Sequence, residues 1–107
     1  MEIDFPIAAM SETDAKERLD LLGRYLTNRH GINVTWLDDK RAKFSGKYLV
    51  VKIEGELTLA PGKATFKGQD PGWPWRKKAE DYIRSKLASY LDPKTKIADL
   101  PTGKEKD

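Results

Sequence analysis

Apolar and polar residues alternate along the middle of the chain. Apolar side chains occupy every second position there, with charged or hydroxyl residues in most of the gaps, and the apolar set is Leu49, Val51, Ile53, Leu57 and Leu59. Such a period of two places alternate side chains on opposite faces of a strand. The pattern predicts a sheet with one solvated face and one face that needs a cover. Gly55 inside it predicts a bulge, a bend or the close approach of a helix backbone.

Amphipathic helices are predicted before and after this segment. Ser11, followed by Asp14, is typical of a helix-capping box, and Gly31 is placed to end the same helix in the left-handed conformation. A second helix is predicted from the Trp73-Pro74-Trp75 segment up to Asp92, which precedes a proline. Shorter alternating stretches predict further strands at 2–7, 32–36, 42–44 and 64–67. Turn compositions separate the later strands at 38–40, 45–47 and 61–62.

These elements predict an α+β, two-layer fold. An antiparallel sheet of about four to five strands would carry the N-terminal and the C-terminal helix on one face. Residues 1–92 would form the single domain, and 93–107 a polar, largely flexible tail. Pro6 favours an edge position for the first strand. The predicted core consists of Phe5, Leu19, Leu22, Leu26, Val34, Trp36, Phe44, Val51, Ile53, Leu57, Leu59, Phe66, Ile83 and Leu87.

Composition narrows the class of protein. The 107 residues are 38% hydrophobic and 35% charged, which fits a thin core under a charged surface. The net charge of +3 is too small to imply nucleic acid by itself. Cysteine is absent, so disulfides and thiolate metal sites are excluded. No apolar stretch is long enough to cross a bilayer, and the first ten residues do not resemble a secretory signal, so a cytoplasmic protein is expected.

Residues able to perform catalysis are few. His30, the single histidine, precedes a helix-ending glycine, where a basic side chain interacts favourably with the helix dipole. Asp38 and Asp39 match turn chemistry, and Glu54 and Glu56 fall on the wet face of their strand. We therefore predict no enzyme, no catalytic residue, no metal site and no cofactor.

One constellation stands out as an interaction surface. Trp73 and Trp75 flank Pro74 and are followed by Arg76, Lys77 and Lys78. Tryptophans beside cations can stack on bases or lie at a boundary between apolar and aqueous phases. The alternative is that one tryptophan covers the core and the cations form a solvated helix face. In either case we expect one of the two tryptophans to be exposed.

Short strings along residues 1–92 resemble the polyhydroxyalkanoic acid system protein family of bacteria. The matching strings are EIDFP at 2–6, AKER at 15–18, LTNRHG at 26–31, VTW at 34–36, FSG at 44–46, IEGEL at 53–57 and YL at 90–91. The segment 70–75 departs from the family pattern, and the tail after Asp92 is an addition. The resemblance implies an association with polyester storage granules, but it carries over no catalytic residue.

Three functions remain open from the sequence. The first is a non-enzymatic accessory or interaction protein whose partner is a protein or a polyester granule surface. The second is a nucleic-acid-binding module that uses the basic face of the C-terminal helix, including Arg84 and Lys86. The third is a carrier of a small apolar ligand between helices and sheet. This third function needs an open cavity, whereas the predicted core is large enough to fill the space. An exposed sheet face with Tyr48 and Val50 leaves room for a dimer.

Overall fold

The structure is a computed structural model that describes residues 1–7, 10–48 and 51–104. Two α-helices, five strands and one 3₁₀ turn are formed within these ranges. Their bounds are β1 Glu2–Pro6, α1 Glu12–His30, β2 Asn33–Asp38, β3 Arg41–Tyr48, β4 Val51–Ala60, β5 Lys63–Gly68, α2 Trp75–Tyr90 and the 3₁₀ turn Ile97–Asp99. Leu49 and Val50 of the predictions lie outside the described residues, and the side chains of Tyr48 and Val51 are not described.

The five strands form one open antiparallel sheet in the order β1-β5-β4-β3-β2. The N-terminal strand pairs with β5 and so becomes one edge, where Pro6 lacks an amide hydrogen to donate. The predicted α+β class with a helix-covered antiparallel sheet is confirmed. Alternation along β4 is also as predicted, since Leu57 and Leu59 are buried while Lys52 and Glu54 are exposed.

Helix α1 begins and ends where the sequence predicted. The Ser11 side chain accepts a hydrogen bond from the Asp14 amide at 3.1 Å, which satisfies one of the free donors of the first turn. Gly31 has φ +69°, and its amide donates to the carbonyls of Leu26 and Thr27. Only glycine adopts this left-handed conformation at little cost, so the chain leaves α1 here and enters β2.

The turn predicted at 45–47 is wrong. These residues continue β3 and pair with β4, Ser45 with Glu54 and Gly46 with Ile53. Gly46 serves a close approach, because a Cβ there would lie 3.1 Å from the Ile32 Cα. Serine, glycine and lysine are typical of turns. Here Gly46 lacks a side chain, and this allows the backbone just before β2 to approach the end of β3 closely.

The core lies between the sheet and the two helices. Its buried apolar side chains are Ile3, Ala15, Leu19, Leu22, Leu26, Ile32, Ala42, Phe44, Leu57, Leu59, Ala64, Phe66, Leu87, Tyr90, Leu91 and Leu100. Five residues of the predicted core are only half-buried at its margin: Phe5, Val34, Trp36, Ile53 and Ile83. The centre of the core is instead formed by small residues such as Ala42 and Ala64 and by the C-terminal end of α2.

A buried arginine joins the two helices. Arg18 of α1 is only 5% exposed, and its guanidinium donates to the carbonyls of Tyr90 at 3.3 Å and Asp92 at 2.8 Å. These carbonyls lie at the C-terminal end of α2, where backbone acceptors have no partner within the helix. Asp14 accepts a further bond from Arg18 Nε at 3.4 Å. The C-terminal end of α2 is therefore held to α1 by charge as well as by packing.

The segment predicted as a polar tail has a defined place up to residue 104. The Leu100 side chain is buried in the core, and the Tyr90 hydroxyl donates to the Pro101 carbonyl. The Asn28 amide donates to the Thr102 carbonyl at 2.7 Å. These contacts bring the chain after α2 back along α1, so it adds to the core although its composition is polar.

Candidate functional site

An apolar cavity of about 340 Å³ lies between α2, from Trp75 to Leu87, the C-terminal part of α1 and the sheet. Its volume is at the lower end of the roughly 300–1,000 Å³ that small-molecule sites occupy. Aliphatic and aromatic side chains form most of its wall. They include Leu19, Leu22, Leu26, Ile32, Phe44, Ile53, Leu57, Phe66, Trp75, Ala79, Ile83 and Leu87.

Two glycines of the sheet lie under Phe66, an aromatic residue of the cavity wall. Gly55 of β4 and Gly68 of β5 pair directly with each other, on the same face as Leu57 and Phe66. The Phe66 ring bends over both of them, because a Cβ at Gly55 would lie 2.5 Å from Phe66 Cζ and one at Gly68 would lie 2.6 Å from Phe66 Cε1. Gly55 keeps regular register, so the predicted bulge or helix approach is wrong, and the close neighbour is an aromatic ring.

Helix α2 packs tightly at only one end. Its fully buried residues are Leu87 and Tyr90, both in the last turn, whereas Ala79 and Ile83 are half-buried and line the cavity. Ile53 on β4 is half-buried as well. The expectation that the core fills the space under the helices is therefore wrong, since the predicted core residues Ile53 and Ile83 face an opening.

Polar groups gather at the end of the cavity beside α1. His30 Nε2 and the Tyr82 hydroxyl are 3.1 Å apart, within hydrogen-bonding distance, and the Lys86 ammonium lies 4.2 Å from the centroid of the Tyr25 ring. Burial lowers the pKa of His30 below its usual value, and the charges of Lys86 and Arg29 lower it further. Its predicted role as a cation at the helix end is therefore weakened, because a lowered pKa favours the neutral imidazole at neutral pH.

The two tryptophans of the predicted interaction surface separate. Trp73 is 86% exposed, which confirms that one of the pair faces solvent. Trp75 is half-buried and lines the cavity. The proline between them occupies the N-cap position of α2, which has no side-chain cap. The segment thus contributes one ring to the cavity wall and one to the surface.

The three cations of that surface each have a neighbour. Arg76 forms an ion pair with Asp70 at 2.7 Å, and this hydrogen-bonded pair lowers the pKa of Asp70. Lys77 lies 3.7 Å from Asp81, and the Lys78 ammonium lies 5.7 Å from the Trp75 ring centroid. Farther along α2, Arg84 pairs with Glu80 at 3.1 Å. Much of the positive charge of α2 is thereby balanced locally.

The adjacent carboxylates have the surroundings expected of turn and surface residues. Asp38 accepts bonds from the Lys40 amide at 2.8 Å and from Arg41 at 3.0 Å, and these bonds lower its pKa. Asp39 lies 3.3 Å from Lys16. Within 1–7, 10–48 and 51–104, no group of three or more metal-ligating side chains occurs. In the same ranges no helix is both long and apolar enough to cross a membrane.

Comparisons with known proteins add no relative. No family model, no curated protein and no solved structure matches this chain. The resemblance to the polyhydroxyalkanoic acid system family therefore stays a prediction that depends on the strings quoted above.

Proposed function

We propose that this chain is a non-enzymatic binding protein that takes a small apolar ligand into the cavity between α2 and the sheet. The single observation that carries the proposal is an opening of about 340 Å³ walled by aliphatic and aromatic side chains. Apolar surface left open to water costs free energy in proportion to its area, so a ligand that covers it gains that free energy. The half-buried Ile53 and Ile83 are the side chains with most to gain.

The size of the cavity limits the ligand. A water molecule occupies about 30 Å³ in the liquid, and a non-hydrogen atom of a ligand is of similar size. The cavity therefore holds on the order of ten non-hydrogen atoms. An aliphatic chain of medium length fits this limit, whereas a long-chain lipid would have to extend through the mouth. We therefore choose 1-octanol as a neutral probe of matching size.

Titration calorimetry with 1-octanol tests the proposal. We expect saturable binding with a negative change in heat capacity, which marks burial of apolar surface. Replacing Ala79 by Phe should abolish binding, because the new ring projects from a position that lines the cavity. The matched control is Ala88→Phe, since Ala88 lies on the same helix but is exposed. Equal binding by the two variants, or no binding by the wild-type chain, would contradict the proposal.

A second candidate function is supported by Trp73. A tryptophan that is 86% exposed is a typical anchor for an apolar surface, and the family resemblance points to polyester granules. In this function the chain is an accessory protein of the polyhydroxyalkanoate system, and a granule partner places it in the cytoplasm. Cosedimentation with purified granules is the test. Trp73→Ala should reduce the bound fraction, whereas Leu37→Ala, at a 49% exposed leucine of β2, should not.

Nucleic acid has less support than either candidate. Arg76, Lys77 and Arg84 each lie within ion-pair distance of a carboxylate on the same side of the molecule. A cation already paired with a carboxylate releases less free energy on binding a phosphate, because it must give up that partner. We therefore do not propose a nucleic-acid interface on α2.

A further inference from the structure

Lys86 is a cation at the rim of the apolar cavity. It is half-buried, lines the cavity, and forms no ion pair with a carboxylate in the part of the chain that the structure describes. Its ammonium instead lies over two rings, 4.2 Å from the Tyr25 centroid and 5.6 Å from the Tyr82 centroid. These rings offer only a weak electrostatic partner, so Lys86 retains most of its capacity to bind an anion.

The neighbours of Lys86 make its surroundings polar. Lys86 and Arg29 both lower the pKa of His30, in addition to the larger effect of burial. His30 and the Tyr82 hydroxyl form a polar pair 3.1 Å apart, next to the same opening. Leu22, Leu57 and Phe66 in the same lining are apolar. The cavity therefore offers polar groups near Lys86 as well as apolar side chains.

Resting on the function proposed above, we infer that the ligand is an alkyl chain that ends in a carboxylate, with the carboxylate bound by Lys86. The chain lies against the apolar wall, and the anion lies at the Tyr25 and Tyr82 end. Two features carry this assignment: a half-buried lysine whose ammonium has no carboxylate partner among the described residues, and an apolar volume that takes on the order of ten non-hydrogen atoms. Octanoate is the simplest molecule that meets both requirements.

Lys77 provides a matched control. It is also on α2, but it is exposed, does not line the cavity and lies 3.7 Å from Asp81. A general effect of positive charge on the helix would be shared by the two positions, whereas a specific contact with the ligand would not.

The experiment compares octanoate with 1-octanol by titration calorimetry on the full chain and on Lys86→Gln and Lys77→Gln. Octanoate should bind the wild-type chain more tightly than 1-octanol. Lys86→Gln should weaken octanoate about three- to tenfold, as loss of one charge-assisted contact predicts, and change 1-octanol by less than about twofold. Lys77→Gln should leave both affinities near the wild-type values. Added salt should weaken octanoate alone.

The contrary results distinguish failure of this inference from failure of the proposed function. Equal affinities for octanoate and 1-octanol in the wild-type chain would overturn the inference and leave the proposed function standing. Equal weakening of both ligands by Lys86→Gln would also overturn it, because Lys86 would then act only by packing on Tyr25 and Tyr82. Absence of binding by both ligands would overturn the proposed function, and the inference would fail with it.

Discussion

Removing the Arg18 guanidinium should destabilise the whole domain. In Arg18→Ala the Asp92 carbonyl loses a charge-assisted bond of 2.8 Å and the Tyr90 carbonyl a longer one of 3.3 Å. Hydrogen bonds to charged groups contribute about 1.5–3 kcal/mol each. The pair with Asp14 is 3.4 Å long and partly exposed, so it adds little. Counting the long bond at a fraction of its full value, we expect a loss of about 3 kcal/mol, which is a large part of a small domain's stability.

Urea unfolding followed by circular dichroism measures this loss. With an m-value of about 1 kcal/mol/M, the midpoint should fall by about 3 M. Arg18→Lys should fall between wild type and Arg18→Ala, because an ammonium keeps the charge but cannot bond the two carbonyls and Asp14 at the same time, as the guanidinium does through Nη1 and Nε. Arg24→Ala on the same helix is the control, since Arg24 is exposed and pairs with Asp20 only at the surface. A loss below about 1 kcal/mol for Arg18→Ala, or one equal to that of Arg24→Ala, would refute the argument.

Three further predictions concern other parts of the fold. Gly55→Ala should destabilise by about 1–3 kcal/mol in urea unfolding, because its Cβ would lie 2.5 Å from the Phe66 ring, and Phe66→Leu in the same chain should recover part of that loss. The pKa of His30, followed by NMR, should lie below its usual value. As the pH falls, His30 in the unfolded chain therefore binds a proton at a higher pH than His30 in the folded chain. The free energy of unfolding should decrease as the pH falls below about 6.5, and His30 should not change it at higher pH. His30→Gln should flatten that slope. Leu100→Ala should cost about 2–4 kcal/mol, since the side chain is buried in the core, and wild-type stability in that variant would show that the chain after α2 is not part of the folded unit.

The sequence predicts the elements of this fold better than it predicts their packing. Local signals such as Ser11 and Gly31 located the ends of α1, and the period of two along β4 identified its buried face, because each depends on neighbouring residues alone. The turn expected at 45–47 failed because Gly46 serves a contact with Ile32, which is distant along the chain. Composition cannot distinguish a glycine that forms a turn from a glycine that permits a close contact with a distant residue.

The cavity was missed for a related reason. A list of apolar residues says how much volume is available to a core, but not whether two elements approach closely enough to use it. Ile53 and Ile83 have the spacing of core residues, yet the buried residues of α2 lie only in its last turn, near Tyr90. The Phe66 ring lies over Gly55 and Gly68, and only the strand register brings those two positions together.

The position of Arg18 also bears on how a ligand would enter and leave. Because the guanidinium fastens the last turn of α2, the first two turns can move outward while the hydrogen bonds to Tyr90 and Asp92 stay in place. Exchange would then need the local opening of one helix end, at a free energy below that of global unfolding. Release of a ligand would then be faster than global unfolding of the protein.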